Sequence, residues 1–198
     1  MAKQSFKGGA LLSPVPAVMV SCGDMENSNI ITIAWTGIIN TVPPKTYISV
    51  RPSRHSHEII KNTGEFVINL VDCKNIKKAD FCGIYTGKKV DKFKRCGFEK
   101  EKSEFVSCPC IAQCPVCLEC KVESIIPQGS HDMFIANIVN VRVDESIIDK
   151  NGKICFEKAD LAAFSHGEYF SLGKKIGTFG FSAAKKKGKN NLKKKKKD

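Results

Sequence analysis

At 198 residues, 42% of them hydrophobic, the chain can bury a real core and suits one domain, or one domain with a tail. No run of 18 apolar residues occurs, and Met1-Ala-Lys-Gln-Ser5 lacks the apolar stretch of a secretory leader, so a membrane span is not expected and a cytoplasmic protein is. The net charge of +12 suggests nucleic acid until it is located: residues 183–198 hold nine Lys and one Asp, net +8, which leaves only +4 on the remainder.

Residues 1–16 begin polar and reach Leu11-Leu-Ser-Pro-Val-Pro16, an extended lead-in. Ala17-Val-Met-Val-Ser-Cys22 is a short apolar run of buried-strand type, and Gly23 to Ser28 turns the chain. The stretch from Asn29 to Glu58 organises the rest of the chain. Asn29-Ile-Ile-Thr-Ile-Ala-Trp-Thr-Gly37 reads as a strand with Ile31, Ile33 and Trp35 on one face and Thr32, Ala34 and Thr36 on the other. After Pro43-Pro44 a second strand places Thr46, Ile48 and Val50 opposite Tyr47, Ser49 and Arg51.

Pro52-Ser53 then marks a helix start. With Ser53 as N-cap, the amides of His55 and Ser56 point from a positive helix end, flanked by Arg51 and Arg54. A ligand flat at one end and anionic at the other would fit this stretch. The plainer alternative is an ordinary capped helix with solvated arginines.

Thr63-Gly64 makes a turn, and Glu65-Phe-Val-Ile-Asn-Leu70 follows as a strand. Residues 72–85 can form a helix with Ile76, Ala79, Phe81 and Cys82 as its apolar stripe. Lys88, Lys89 and Lys92 in the next loop are solvated charges by composition, although one of them could close over an anion placed near Ser53.

Ten cysteines without a leader argue for free thiols in a reducing compartment. Cys108, Cys110, Cys114, Cys117 and Cys120 invite a metal reading. Strand periodicity over residues 116–123 puts Cys117 and Cys120 on opposite faces, which a single tetrahedral site cannot easily use, so no metal is expected. The strand ends at Ile126-Pro-Gln-Gly129. Residues 130–143 form a long, mostly apolar strand with His131-Asp132 at its entrance, Asp149-Lys-Asn-Gly152 is a turn, and residues 166–182, rich in Gly and aromatics, read as an ordered irregular segment packing over the body or a second subunit. Beyond it, the Lys-rich residues 183–198 lack the apolar content to offset ordering, which predicts a disordered, solubilising tail rather than a nucleic-acid site.

Six or more short strands, few helices and no βαβ alternation predict a closed antiparallel barrel. Gly-x-Gly-x-x-Gly, P-loop, His-Glu-x-x-His and Gly-x-Ser-x-Gly motifs are absent, which removes dinucleotide-fold, kinase, zincin and serine-hydrolase templates.

Pro16-Ala-Val-Met-Val20, residues 29–37, Pro43-Pro44, Val50-Arg-Pro-Ser-Arg-His-Ser56, Gly64-Glu-Phe-Val-Ile-Asn-Leu70, Val90-Asp-Lys-Phe93, Cys114-Pro-x-Cys-Leu-Glu-Cys120, His131-Asp132 and Tyr169-x-Ser-Leu-Gly-x-x-Ile-Gly-x-Phe-Gly-Phe181 together resemble the flavin reductase-like family, close to flavoredoxins. The likeness spans about residues 13–182. It implies a mainly β, Greek-key FMN-binding split barrel over residues 1–182, homodimeric, whose FMN takes a hydride from NAD(P)H or relays electrons for a redox protein partner.

Carried over, Asn29, Thr32, Ala34, Trp35 and Thr36 would lie along the isoalloxazine and ribityl chain. Arg51, Ser53, Arg54, His55 and Ser56 would hold the phosphate, Lys92 would help close over it, and His131 and Tyr169 would face the docking donor or acceptor. No catalytic side chain is needed beyond the flavin. An electron carrier without nicotinamide activity and a polyanion-binding basic protein are the alternatives. NADH against NADPH, the physiological partners, and redox activity of the thiols stay open.

Overall fold

The computed structural model describes residues 1–183; the expectation of disorder falls on residues almost wholly outside them. Strands β1 (Val15–Pro16), β2 (Val18–Gly23), β3 (Ser28–Ile33), β4 (Thr36–Thr41) and β5 (Pro44–Val50) precede helix α1 (His55–Thr63) and β6 (Glu65–Leu70). Helices α2 (Ile76–Ile84) and α3 (Lys92–Cys96) follow, then the two-residue strands β7 (Lys100–Glu101) and β8 (Cys110–Ile111). Long strands β9 (Val116–Pro127) and β10 (Asp132–Val143) and the hairpin β11 (Ala162–Ser165) with β12 (Glu168–Ser171) complete the fold.

Seven strands form one antiparallel sheet in the order β3-β2-β6-β9-β10-β5-β4, so β3 and β4, neighbours in sequence, lie at its opposite edges. The chain crosses between those edges at Ala34-Trp35, where the Ser49 amide donates to the Trp35 carbonyl at 2.9 Å. The sheet curls almost onto itself and leaves a seam between β3 and β5, which is a split barrel. The continuous strand expected over residues 29–37 is thus two strands broken at Ala34-Trp35. Ile31 and Ile33 enter the barrel core as expected, whereas Trp35, past the end of β3, is 37% exposed.

The barrel interior packs Val18, Val20, Ile48, Phe66, Ile68, Cys120 and Phe134, and Ile60 of α1 plugs one end. Fully burying side chains of this size contributes about 1.5–3 kcal/mol each. Ser56, His57 and Ile60 are the buried face of α1, and the helix ends where Gly64, at φ 68°, returns its amide to the Ile60 carbonyl. On the outer face of the sheet, Met19, Ile30 and Val67 pack against Ala79 and Cys82 of α2 and Phe93 of α3.

The alternation read in residues 116–123 is observed: Cys117 joins the outer cluster and Cys120 the inner one. Glu119 alternates with Cys120 and so shares the face of Cys117. A carboxylate on the outer side of a strand reads as solvated, but it is fully buried and accepts from the Glu104 and Phe105 amides, the latter at 2.7 Å, and from Asn140 Nδ2. Three donors compensate its desolvation and pin the loop after β7. In the C-terminal segment, β12 is tied down by Tyr169, whose hydroxyl donates to Asp80 on α2 at 3.0 Å, while Leu172, Ile176 and Phe179 beyond it are exposed.

Candidate functional site

The seam between β3 and β5 is a groove of about 350 Å³ lined by Ile31 to Trp35, Ser49 to Arg51, Arg54, His131 and Phe164. Thr32, Ile33, Ala34 and Phe164 continue into a side pocket of about 190 Å³ reaching Gly83, Asp80 and Tyr169. At the other end, Ile31 and Arg54 are shared with a tight corner of about 30 Å³ walled by Asn29, His55, Ser56, Cys82, Gly83, Tyr85, Thr86, Gly87 and Lys92.

The corner is rigidly built. Asn29 Nδ2 donates to Ser56 Oγ at 2.8 Å, and both residues are buried. Gly87 closes against that amide so tightly that an added Cβ would collide with Asn29 Oδ1. Lys92, 4% exposed, donates from Nζ to the Ile30 carbonyl at 2.6 Å and the Cys82 carbonyl at 2.7 Å. Burial lowers its pKa, a shift that nearby thiols oppose and Arg54 reinforces. An ammonium has three donors, so two carbonyls leave one hydrogen for the corner.

The N-terminus of α1 adds to this. Its N-cap is Arg54, in extended conformation, with no side chain bonded to the first-turn amides. Orphan amides and a helix dipole beside Arg54 and Lys92 favour an anion. Ser53 is therefore not the cap: it is exposed, outside the corner, and the cap passes to its neighbour because Arg51 to Arg54 closes a turn through the Arg54 amide and the Arg51 carbonyl at 3.0 Å. The expectation for Lys92 also changes. It is a floor residue held by two carbonyls, not a solvated lysine closing from above, whereas Lys88 and Lys89 are exposed as composition suggests.

Along the groove, Thr32 presents a half-buried side chain whose hydroxyl is committed to the Ala79 carbonyl of α2. Thr36 is not brought to the groove: it starts β4, is buried, and donates to the Tyr47 carbonyl at 2.6 Å. The strand break at Ala34-Trp35 is what removes it from the face of Thr32 and Ala34. His131 stands beside Arg51, with Arg51 Nε donating to His131 Nε2 at 3.4 Å and Ser130 Oγ against Nδ1 at 2.9 Å. Partial burial, then Arg51 and Arg54, lower the His131 pKa, so the ring is neutral at pH 7. Tyr169 reaches the side pocket with its pKa raised to about 12 by burial and by Asp80, so it stays a protonated donor.

A pairing that the sequence does not reveal also forms. His57 Nε2 meets Asp132 Oδ2 at 2.7 Å, with the ring edge-on to Phe134, which clamps α1 to the start of β10. The signal for it is the spacing of His57 and Ile60 on one helix face. A cleft of about 990 Å³ adjoins the corner through Asn29, His55 and Gly87; Lys88, Lys89 and Lys100 in it face Asp24, Glu26, Glu65 and Asp91, so it holds no surplus of positive charge.

The donor set fits a ligand with a flat body and one anionic end: small side chains and a seam for the first, amides and cations for the second. The family model described as "Flavin reductase like domain" matches residues 11–173. The chain belongs to that family. Flavoredoxin of Desulfovibrio vulgaris (Miyazaki F) superposes with a TM-score of 0.86 at 28% identity, covering 92% of this chain and 100% of that one. A flavoredoxin from Methanosarcina acetivorans gives 0.84 at 25% identity, with 93% and 100% covered. A protein of Archaeoglobus fulgidus without an assigned activity is 26% identical over 153 residues, 77% of this chain and 86% of its own length.

For this flavin reductase-like chain, membership brings a flavin cofactor and oxidoreductase chemistry at the level of the family. Among the described residues no helix is long and apolar enough to cross a membrane.

Proposed function

We propose that the chain is an FMN-binding oxidoreductase of the NAD(P)H:flavin reductase or flavoredoxin type, with the flavin in the β3–β5 seam and its phosphate in the corner. The observation that carries this reading is the continuity of an uncapped helix end, flanked by Arg54, Ser56 and Lys92, with the groove lined by residues 31–35. Asn29, Arg54, His55, Ser56 and Lys92 would hold the phosphate end. Thr32, Ala34 and Trp35 would border the ring system, with Arg51, His131 and Tyr169 facing the exchange partner.

When bound, the flavin supplies the hydride and electron chemistry. The protein's part is to bind, orient and exclude water. The Thr32 hydroxyl bonded to α2 keeps the strand and helix that flank the ring in register. Neutral His131 can accept or donate a hydrogen bond without adding charge next to Arg51.

The tight corner favours FMN over riboflavin, because only the phosphate can satisfy the helix amides. Trp35, Ile38, Ile39 and Val42 form an exposed apolar run next to the groove, which supports homodimer formation over the open seam.

Titrating purified protein with FMN and following flavin fluorescence tests the reading, and absence of quenching overturns it. Anaerobic mixing with NADH or NADPH then separates the activities: rapid bleaching supports a reductase. Absence of bleaching supports the second reading, a flavin-binding electron carrier, which the 28% identity to a flavoredoxin favours.

A further inference from the structure

Ten thiols are free among the described residues, and the flavin reading uses none of them. One pair sits at the phosphate corner. Cys82 Sγ and Cys96 Sγ touch at 3.9 Å. Cys82 belongs to α2, walls the corner, and offers its carbonyl to Lys92. Cys96 is the last residue of α3, whose first residue is Lys92. The two sulfurs therefore join the same two elements that the lysine joins.

Access separates this pair from the other cysteines near the core. Cys96 is half-buried, which gives a small reagent an entrance, whereas Cys22, Cys108, Cys110, Cys114, Cys117 and Cys120 are buried. Cys110 and Cys117 also interact, but Cys110 is fully buried and Cys117 only grazes a pocket of about 330 Å³, and neither touches the corner.

We propose that Cys82 and Cys96 are a reversible dithiol, oxidised by a peroxide to an intrachain disulfide that loosens the grip on the cofactor's phosphate; the second half rests on the FMN reading. The Cys96 sulfur attacks the peroxide, an S–O bond forms as the O–O bond breaks, and one water leaves. The Cys82 sulfur then attacks the sulfenic sulfur. An S–S bond forms, the S–O bond breaks, and the hydroxyl departs as a second water with the Cys82 proton. The two sulfurs give up two electrons and hydrogen peroxide becomes two waters. Burial and the neighbouring Cys96 push Cys82 up to about 12, so its proton must leave during the attack.

A disulfide brings sulfurs to about 2.05 Å from the 3.9 Å at which they stand, so the two side chains must turn toward each other and draw on α2 and α3. The 2.6 and 2.7 Å bonds that hold Lys92 have little room for such a shift. A corner of about 30 Å³ has no slack to absorb it either.

The test uses the full chain, reduced or treated with hydrogen peroxide, with peptide mapping by mass spectrometry and separate titrations with FMN and riboflavin. The expected result is a Cys82–Cys96 linked peptide and an FMN Kd raised about tenfold, against less than twofold for riboflavin, since a weakened charge-assisted contact changes affinity by that order. Dithiothreitol should reverse both, and Cys96→Ser should show neither. Absence of the linked peptide in the wild-type chain, or its formation with no change for FMN, overturns the proposal. Failure of the reduced protein to bind FMN overturns the cofactor reading separately, since peptide mapping reads the cross-link without any flavin.

Discussion

At the corner, Asn29 and Ser56 are sealed and bonded to each other and Lys92 is locked by two carbonyls, whereas along the seam Trp35, Arg51 and Arg54 are exposed and His131 is half-buried. The first region is held by the protein's own hydrogen bonds, which limits the ordering cost of binding. The second is open on one side, as a surface must be if a hydride donor or a redox protein is to reach it. In the proposed reading, anchoring and exchange fall at different ends of one groove, and each should be alterable without the other.

The largest separation should come from Lys92→Met. Losing a charged donor of this kind should weaken FMN by about 10- to 100-fold and leave riboflavin within about threefold, read by fluorescence titration. Equal losses would show that the corner is not the phosphate site. The sign with pH follows from the lowered Lys92 pKa: the ammonium is present below its folded pKa and lost above it. FMN affinity should fall as pH rises toward the ordinary lysine value, and the fall should vanish in Lys92→Met.

Ala34→Leu probes the opposite end. Filling the seam should cost FMN and riboflavin alike, about tenfold, because overpacking costs about 1–3 kcal/mol wherever the phosphate lies. Arg54→Ala, at an exposed position, should weaken FMN by a smaller factor, about three- to tenfold, and the deficit should shrink in 0.5 M salt as screening removes the same interaction from the wild type. The smallest effect belongs to Ser53→Ala. As an exposed residue that caps nothing, it should change FMN affinity by less than about twofold, since surface substitutions away from special features stay within about 0.5 kcal/mol.

Much of the barrel is legible in alternation. Glu65–Leu70 is readable to the residue, and the opposed faces of Cys117 and Cys120 follow from a period of two. The break at Ala34-Trp35 is not readable, because a crossing from one sheet edge to the other leaves no local signal when the residues on both sides favour strands. Ser53 misleads for a related reason. Ser at a helix start is a good cap in isolation, yet the turn from Arg51 to Arg54 sets the boundary one residue later.

The candidate site divides the same way. Asn29, Ala34, Arg54 and Ser56 are legible in the chain and lie on the groove or its corner, Thr36 shares their pattern and faces Tyr47 instead, and the His57–Asp132 and Cys82–Cys96 pairs require contacts across 75 and 14 residues.

The sequence by itself determined most strand faces, the small-residue stripe at Thr32 and Ala34, a helix beginning beside two arginines to within one residue, and the confinement of most of the net positive charge to the last 16 residues. These are local properties, set by side-chain alternation and composition. Only the tertiary structure decided that Lys92 is a buried floor residue, that Glu119 is sealed among three donors, and that the seam between β3 and β5 stays open. Each of those depends on which backbone carbonyls, amides and strand edges meet across the barrel, and a charge is held inside only where folding has already gathered partners for it.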